Sequence, residues 1–257
     1  MLTGAYAIAF VHGLQGGKGE DPDHIQVAAC CKHFVANSLE NWHGHTRYNF
    51  DANVSKEDLY EYYLPPFRAC VMEGKSLGVM CSYNAVNGEP SCANNWLLKE
   101  TLRDSWRFDG YVTSDCGAVG YECAAEPKGH GYVPTCANAT ALSLQAGTDV
   151  DCGTVYKPGI PEAVATGQLS TDTVDVSFSR LTTIQMKLGL FDGKSGDEQP
   201  YFALGAETID TPEHRQLALE AAEQSIVLLK NENGVLPLKP GSKSIAVIGP
   251  HYNATEL

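Results

Sequence analysis

Gly110-Tyr111-Val112-Thr113-Ser114-Asp115-Cys116-Gly117-Ala118 opens on aromatic and β-branched residues and passes into a polar pair. Such a run reads as a short buried strand, 111–114, whose polar end marks where the chain leaves the core. Alternation at period two puts Tyr111, Thr113 and Asp115 on one side and Val112 and Ser114 on the other. Comparable runs flank it: 27–31 and 77–81 before, 146–150 after. Helical stretches lie between them. Ser55 with Asp58 resembles a capping box leading into Leu59, Tyr62, Tyr63 and Phe67, and Pro65-Pro66 must kink or interrupt that helix. Asn95 is placed to cap a helix over 96–106, and Ser170 precedes Val174, Phe178, Leu181, Ile184 and Leu188 at helical spacing, closed by Gly189. Strands alternating with helices predict parallel strands joined by crossover helices, an α/β fold.

Working outward, residues 192–211 are rich in Gly, Asp, Glu, Pro and Ser without periodicity and read as a linker. After it, Thr211 and Pro212 open a helix over 213–230, and 244–249 (Ser-Ile-Ala-Val-Ile-Gly) reads as a buried parallel strand. The expected organisation is 1–191 as an α/β domain, 192–211 as linker and 212–257 as the start of a second α/β domain. Gly13–Gly19 reads as a helix-terminating turn, not a phosphate loop, so no nucleotide cofactor is expected.

The 257 residues carry 18 Lys plus Arg against 31 Asp plus Glu, a formal charge of −13. That is the wrong sign for nucleic acid or an anionic membrane, and uncharged polar substrates fit better. No apolar run approaches the roughly 20 residues that span a bilayer. Nine cysteines and the glycosylation patterns at Asn53, Asn138 and Asn253 point to the secretory route, and an odd count leaves at least one thiol free or paired elsewhere. No signal peptide is visible at the start, so the native N-terminus is expected upstream of Met1.

Polar residues recur at the strand ends: Lys32 and His33, Ser82-Tyr83-Asn84, Ser114-Asp115, and Asp149. In a barrel of parallel strands these would converge on one pocket, where an ionised Asp115 beside Lys32 and His33 could act as a nucleophile. Spacing alone leaves plainer readings open. Ser-Asp after a strand also serves as a helix cap, Lys32 and His33 read equally as a surface lysine and a core histidine, and Tyr83 reads as a core aromatic. Cys30, Cys31, His33, His43 and His45 lack CxxC or HExxH spacing, so no metal site is expected.

The segments 27–34 (Val-Ala-Ala-Cys-Cys-Lys-His-Phe), 79–88 (Val-Met-Cys-Ser-Tyr-Asn-Ala-Val-Asn-Gly) and 110–118 resemble, in order and spacing, successive motifs of glycoside hydrolase family 3. Residues 146–153 and 220–231 extend the resemblance over nearly the whole chain, and Ser-Asp-Cys with Cys-Cys-Lys-His is similar to the plant and fungal β-xylosidase branch. The loop 35–42 lacks the Gly-His-Gly-Asp dyad loop of the N-acetylglucosaminidase branch.

The resemblance implies a partial (β/α) TIM-like barrel, a linker, and the first elements of an α/β sandwich domain. It implies a retaining exo-hydrolase releasing xylose from non-reducing ends of xylan-type oligosaccharides, with arabinosidase side activity. Asp115 matches the family's nucleophile, Lys32 and His33 its sugar-hydroxyl binders, and Met80 and Tyr83 its subsite-lining residues. A β-glucosidase of the same family and a non-catalytic, at most sugar-binding remnant are the alternatives. Retaining hydrolysis needs a second carboxylate about 5–5.5 Å from the first, and the family's lies beyond the position matching Leu257, while its early strands precede Met1. No cofactor, nucleic acid or membrane partner is implied, the expected location is extracellular, and oligomeric state is not legible.

Overall fold

A computed structural model describes residues 1–16, 25–193 and 204–238, together with 241, 244, 246–249, 252 and 253. The chain divides into two compact units, Met1–Gly196 and Asp197–Leu257.

The first unit is a mixed α/β body built on three parallel strands, β1 (Cys30–Phe34), β2 (Gly78–Cys81) and β3 (Tyr111–Ser114), hydrogen-bonded in that order. A fourth position joins β3 only through the bridge between Thr113 and Val150, and the barrel is not closed. β3 covers the expected residues and shows the expected alternation: Val112 and Ser114 are fully buried, whereas Tyr111 and Thr113 keep some exposure.

Two expected strands move. β1 starts at Cys30 because Gly78 of its partner pairs there, and the apolar residues before it only approach the sheet. Val27 stays 48% exposed, while Ala29 is tied in through the Gln15 and Ser76 side chains. The strand expected over 146–150 shrinks to the bridge at Val150, since Ala146 ends the helix Cys136–Ala146 and Gly147, at φ 113°, supplies its left-handed cap.

Caps account for the other helices. Ser55 accepts from the Asp58 amide, and the helical turns from 56 to 73 break at Leu64, with Pro65 and Pro66 opening a new turn where their missing amides cost nothing. Ser170 accepts from the Thr173 amide and starts helix Thr171–Lys187. Asn94, not Asn95, caps the run Trp96–Ser105: its Oδ1 accepts from the Leu97 amide at 3.0 Å, while Asn95 is already helical and donates to Glu100. Helix Leu2–Gln15 ends at Gly16 in the left-handed region; Gly17–Gly19 lie outside the described residues.

The main core packs Phe34, Val79, Val112, Leu97, Leu98 and Leu102, all without exposure, between the sheet and the run Trp96–Ser105. A second cluster joins Val119, Leu144 and Tyr156 from the following helices with Leu169 from the turn before helix Thr171–Lys187. Truncating one of those leucines to alanine typically costs about 2–5 kcal/mol. Four disulfides, Cys31–Cys70, Cys81–Cys92, Cys116–Cys152 and Cys123–Cys136, staple this unit and leave Cys30 unpaired.

In the second unit, Thr211 accepts from the His214 amide and opens helix Pro212–Ser225. That helix stops five residues before the expected end, because Ile226 turns to extended backbone. Of the strand expected over 244–249, Ile245 lies outside the described residues and the others have no ladder partner among the described residues. Residues 194–203 of the expected linker, and Ala254 and Thr255 of the last glycosylation pattern, also lie outside them. Among the described residues no helix is long and apolar enough to cross a membrane.

Candidate active site

The end of β3 carries Asp115. Its amide donates to the Cys81 carbonyl of β2, which continues the ladder one residue past the strand and fixes the side chain on the face shared by Thr113 and Met80. Oδ1 accepts from the Cys116 amide at 2.7 Å, and Oδ2 stands 3.3 Å from His33 Nε2. The Asp115 side chain keeps 13% of its exposure and that of His33 29%, so both remain reachable from outside.

His33 reaches Asp115 through an irregularity in β1. Cys31 pairs with Val79 and Phe34 with Cys81, so one extra residue is inserted between them. Such a bulge breaks strict alternation and re-aims side chains. Phe34 then fills the core while His33 faces Asp115. Burial is the main cause that holds the His33 imidazole below its usual range, helped by the Lys32 and Arg47 charges and opposed by Asp115. A neutral His33 imidazole thus stands beside the carboxylate, Nε2 at 3.3 Å from Oδ2.

Tyr83 lies beside the pair. Its hydroxyl donates to the Cys116 carbonyl at 2.9 Å, and burial, then the Asp115 charge, push it up to about 12. Met80 is paired in register with Thr113 on the same face as Asp115. Lys32 is exposed. It acts on His33 by charge and lines a groove of about 640 Å³ between β1 and helix Leu2–Gln15, with Tyr6, Phe10 and Phe67. That groove is largely apolar and does not include Asp115 or His33, so size alone is a poor guide to the chemistry here.

The other strand-end polar residues do not reach the mouth. Ser82 is 1% exposed and its hydroxyl donates to Val35 and Ser91; Asn84, without exposure, donates to the Val35 carbonyl. The Asp149 side chain is fully buried, 2.6 Å from Arg103 and 3.0 Å from Arg180, and accepts the Val112 amide. These three hold loops together, because a strand end that curls back into the core must satisfy its polar groups internally.

Arg47 is the residue that strand-based reading missed. It follows a two-stranded hairpin, Asn41–Trp42 with His45–Thr46, turned at Gly44. Its guanidinium lies 4.9 Å from the Tyr48 ring centroid and 5.0 Å from that of Tyr83, and pairs with Glu40 at 3.1 Å. Tyr48 stacks on Tyr121 at 4.5 Å and meets Tyr83 edge-on at 4.9 Å, so a cationic and aromatic wall stands next to the His33–Asp115 pair. The sequence signal was only an Arg-Tyr pair after a glycine turn. Among the described residues no cluster of His, Cys, Asp and Glu could hold a metal ion.

A partly exposed carboxylate held by an amide and a neutral imidazole, flanked by a tyrosine, an arginine and aromatic rings, can attack an electrophilic carbon and bind hydroxyl-rich ligands. The family described as "Glycosyl hydrolase family 3 N terminal domain" matches residues 1–184. The chain is 44% identical over its whole length to beta-D-xylosidase 1 of Arabidopsis thaliana and 43% identical to beta-xylosidase/alpha-L-arabinofuranosidase 1 of Medicago sativa subsp. varia. It spans 32% and 33% of their lengths. It is also similar to the solved structure of a GH3 exo-beta-xylosidase in complex with a xylobiose aziridine activity-based probe. There the TM-score is 0.83 at 39% identity, over 93% of this chain and 30% of that one.

Proposed function

The chain belongs to glycosyl hydrolase family 3, and from that membership we propose that it is the nucleophile-bearing part of a secreted, retaining exo-β-xylosidase. In this reading residues 1–191 are a segment of a (β/α) barrel, 192–211 a linker and 212–257 the opening of a second α/β domain. Asp115 attacks the anomeric carbon of a terminal xylose and forms a glycosyl ester. His33, Tyr83, Met80 and Arg47 line the sugar subsite, and Lys32 acts on it by charge through His33. The observation that carries the reading is the contact between Asp115 and a neutral His33 at the open end of β3.

The imidazole stands 3.3 Å from one carboxylate oxygen, and the Cys116 amide orients the other. The amphipathic wall of Tyr48, Tyr83 and Arg47 suits an uncharged pentose with alternating C–H and O–H faces. In this reading the general acid lies outside residues 1–257, as the family resemblance implies. Glu122 is buried and Asp149 is consumed by two arginines, and Glu40 pairs with Arg47 on the surface. Secretion is supported by the four disulfides, which persist in oxidising compartments.

A xylobiose aziridine probe, applied to the full-length protein that carries the general acid, tests the assignment. After incubation and digestion, the mass tag is expected on the peptide containing Asp115, and Asp115→Asn is expected to lose it. A tag on Asp149 or Asp151, or undiminished tagging of Asp115→Asn, overturns the reading.

A further inference from the structure

Asp115 is flanked on both sides by residues that grip a single short segment, 150–152. On its N-terminal side the Ser114 amide donates to the Val150 carbonyl at 2.8 Å. The Ser114 hydroxyl, fully buried, accepts the Cys152 amide at 3.0 Å and donates to Asp151 Oδ1 at 3.4 Å. On its C-terminal side Cys116 is disulfide-bonded to Cys152, and the Gly117 amide donates to the Cys152 carbonyl at 2.6 Å.

The gripping segment is itself anchored. Asp151 Oδ2 accepts the amides of Val155 and Tyr156 at 2.8 and 3.1 Å, which fixes it to the start of helix Tyr156–Ala165. Asp151 therefore uses one oxygen on that helix and the other on Ser114. Its two oxygens face inward to these donors, so Asp151 is no second attacking carboxylate.

We propose that Asp151 and Cys152 are positioning residues for Asp115, forming a clasp around residues 114–117 that holds the carboxylate against His33. The Cys116 amide that orients Asp115 Oδ1 belongs to a residue pinned by its disulfide to Cys152 and by the Tyr83 hydroxyl on its own carbonyl. With the clasp open, residues 114–117 are a loop at the end of β3, and the carboxylate loses its fixed direction. This deepens the reading of Asp115 as the attacking group, but its test needs no turnover.

The reporter is His33. Asp115, Lys32, Arg47 and Glu40 are the charges that act on it, and Asp151 is not among them. Chains 1–257 carrying Asp151→Asn, Ser114→Ala, or Cys116→Ser with Cys152→Ser are titrated by NMR at the His33 ring, assigned with His33→Gln, and folding is checked by circular dichroism. Asp115→Asn sets the full effect of losing the carboxylate charge, a fall of the His33 midpoint by about half a pH unit or more. Each clasp variant that folds is expected to show most of that fall. If the double serine variant does not fold, Ser114→Ala, which keeps every disulfide, decides the matter. Folded clasp variants whose His33 midpoint stays within about 0.1 pH unit of the parent overturn the proposal, well below the effect an opposite charge within 4–6 Å produces. Failure of probe labelling with an intact titration shift would instead sink the nucleophile reading and leave the clasp standing.

Discussion

Asp115, at the end of β3, and Asp149, beside the Val150 bridge to it, are the same residue type, and the fold uses them in opposite ways. Asp149 is fully buried between two guanidiniums, with Arg103 also donating to the Gly110 and Gly147 carbonyls. Its charge is neutralised on the spot, and it ties β3, the run Trp96–Ser105 and helix Thr171–Lys187 into one body. Burial moves Arg103 the other way, down to about 10, yet it stays cationic at neutral pH. Asp115 touches an amide and a neutral imidazole and keeps part of its surface. Glu122 shows a third solution: it is fully buried without a cation, bonded to Ser143, and burial raises it well above the usual carboxylate range, so it keeps its proton. The environment, not the residue, decides whether a carboxylate staples, reacts or stays neutral.

The largest expected effect separates staple from reactive group. Asp149→Ala strips the carboxylate from a buried Arg103 and a partly exposed Arg180 and is expected to cost about 3–5 kcal/mol in urea denaturation. Asp115→Asn, near-isosteric and partly exposed, is expected to change stability by less than about 1 kcal/mol. Equal losses in the two variants would break the contrast.

Within the staple the two arginines are unequal. Arg103 is 8% exposed and Arg180 29%, so Arg103→Ala is expected to destabilise more than Arg180→Ala, the latter by about 1–2 kcal/mol after solvent screening. The reverse order would place the keystone on helix Thr171–Lys187 instead of the run Trp96–Ser105.

Glu122 sharpens the comparison through pH. The folded protein holds a proton that the unfolded chain releases above about 4.5, so the native state binds more protons there. The stabilising effect is full below that pH and is lost as pH rises toward the elevated folded value. Glu122→Gln is expected to flatten this loss: relative to the parent it gains stability from pH 4 to pH 7, by at most about 1.4 kcal/mol per pH unit, measured by denaturation at both. An unchanged pH profile would mean Glu122 is ionised in the fold.

The smallest effect applies the same logic to another neighbouring pair of identical residues. Asn94 caps a helix and Asn95 does not, so Asn94→Ala is expected to cost about 1 kcal/mol and Asn95→Ala less than about 0.5 kcal/mol in the same denaturation assay.

What the sequence determined is what a few adjacent residues can encode. Strand 111–114 and its alternation, the caps Ser55, Ser170 and Thr211, and the break at Pro65 all appear as read, because periodicity and capping act within about one helical turn. The ordered motifs also carried the family. Tertiary structure decided where strand pairing replaces local preference: β1 starts at Cys30 because Gly78 does, and its extra residue turns His33 toward Asp115. It decided the pairing of eight cysteines, which spacing leaves open, and it brought Arg47 to the wall beside Tyr83. It also decided that Ser82, Asn84 and Asp149 hold the core while Asp115 meets the solvent. A polar residue at a strand end carries no mark of which partners will close over it; only the elements packed against that end, from dozens of residues away in the chain, determine whether its hydrogen bonds are satisfied by protein or left for a ligand.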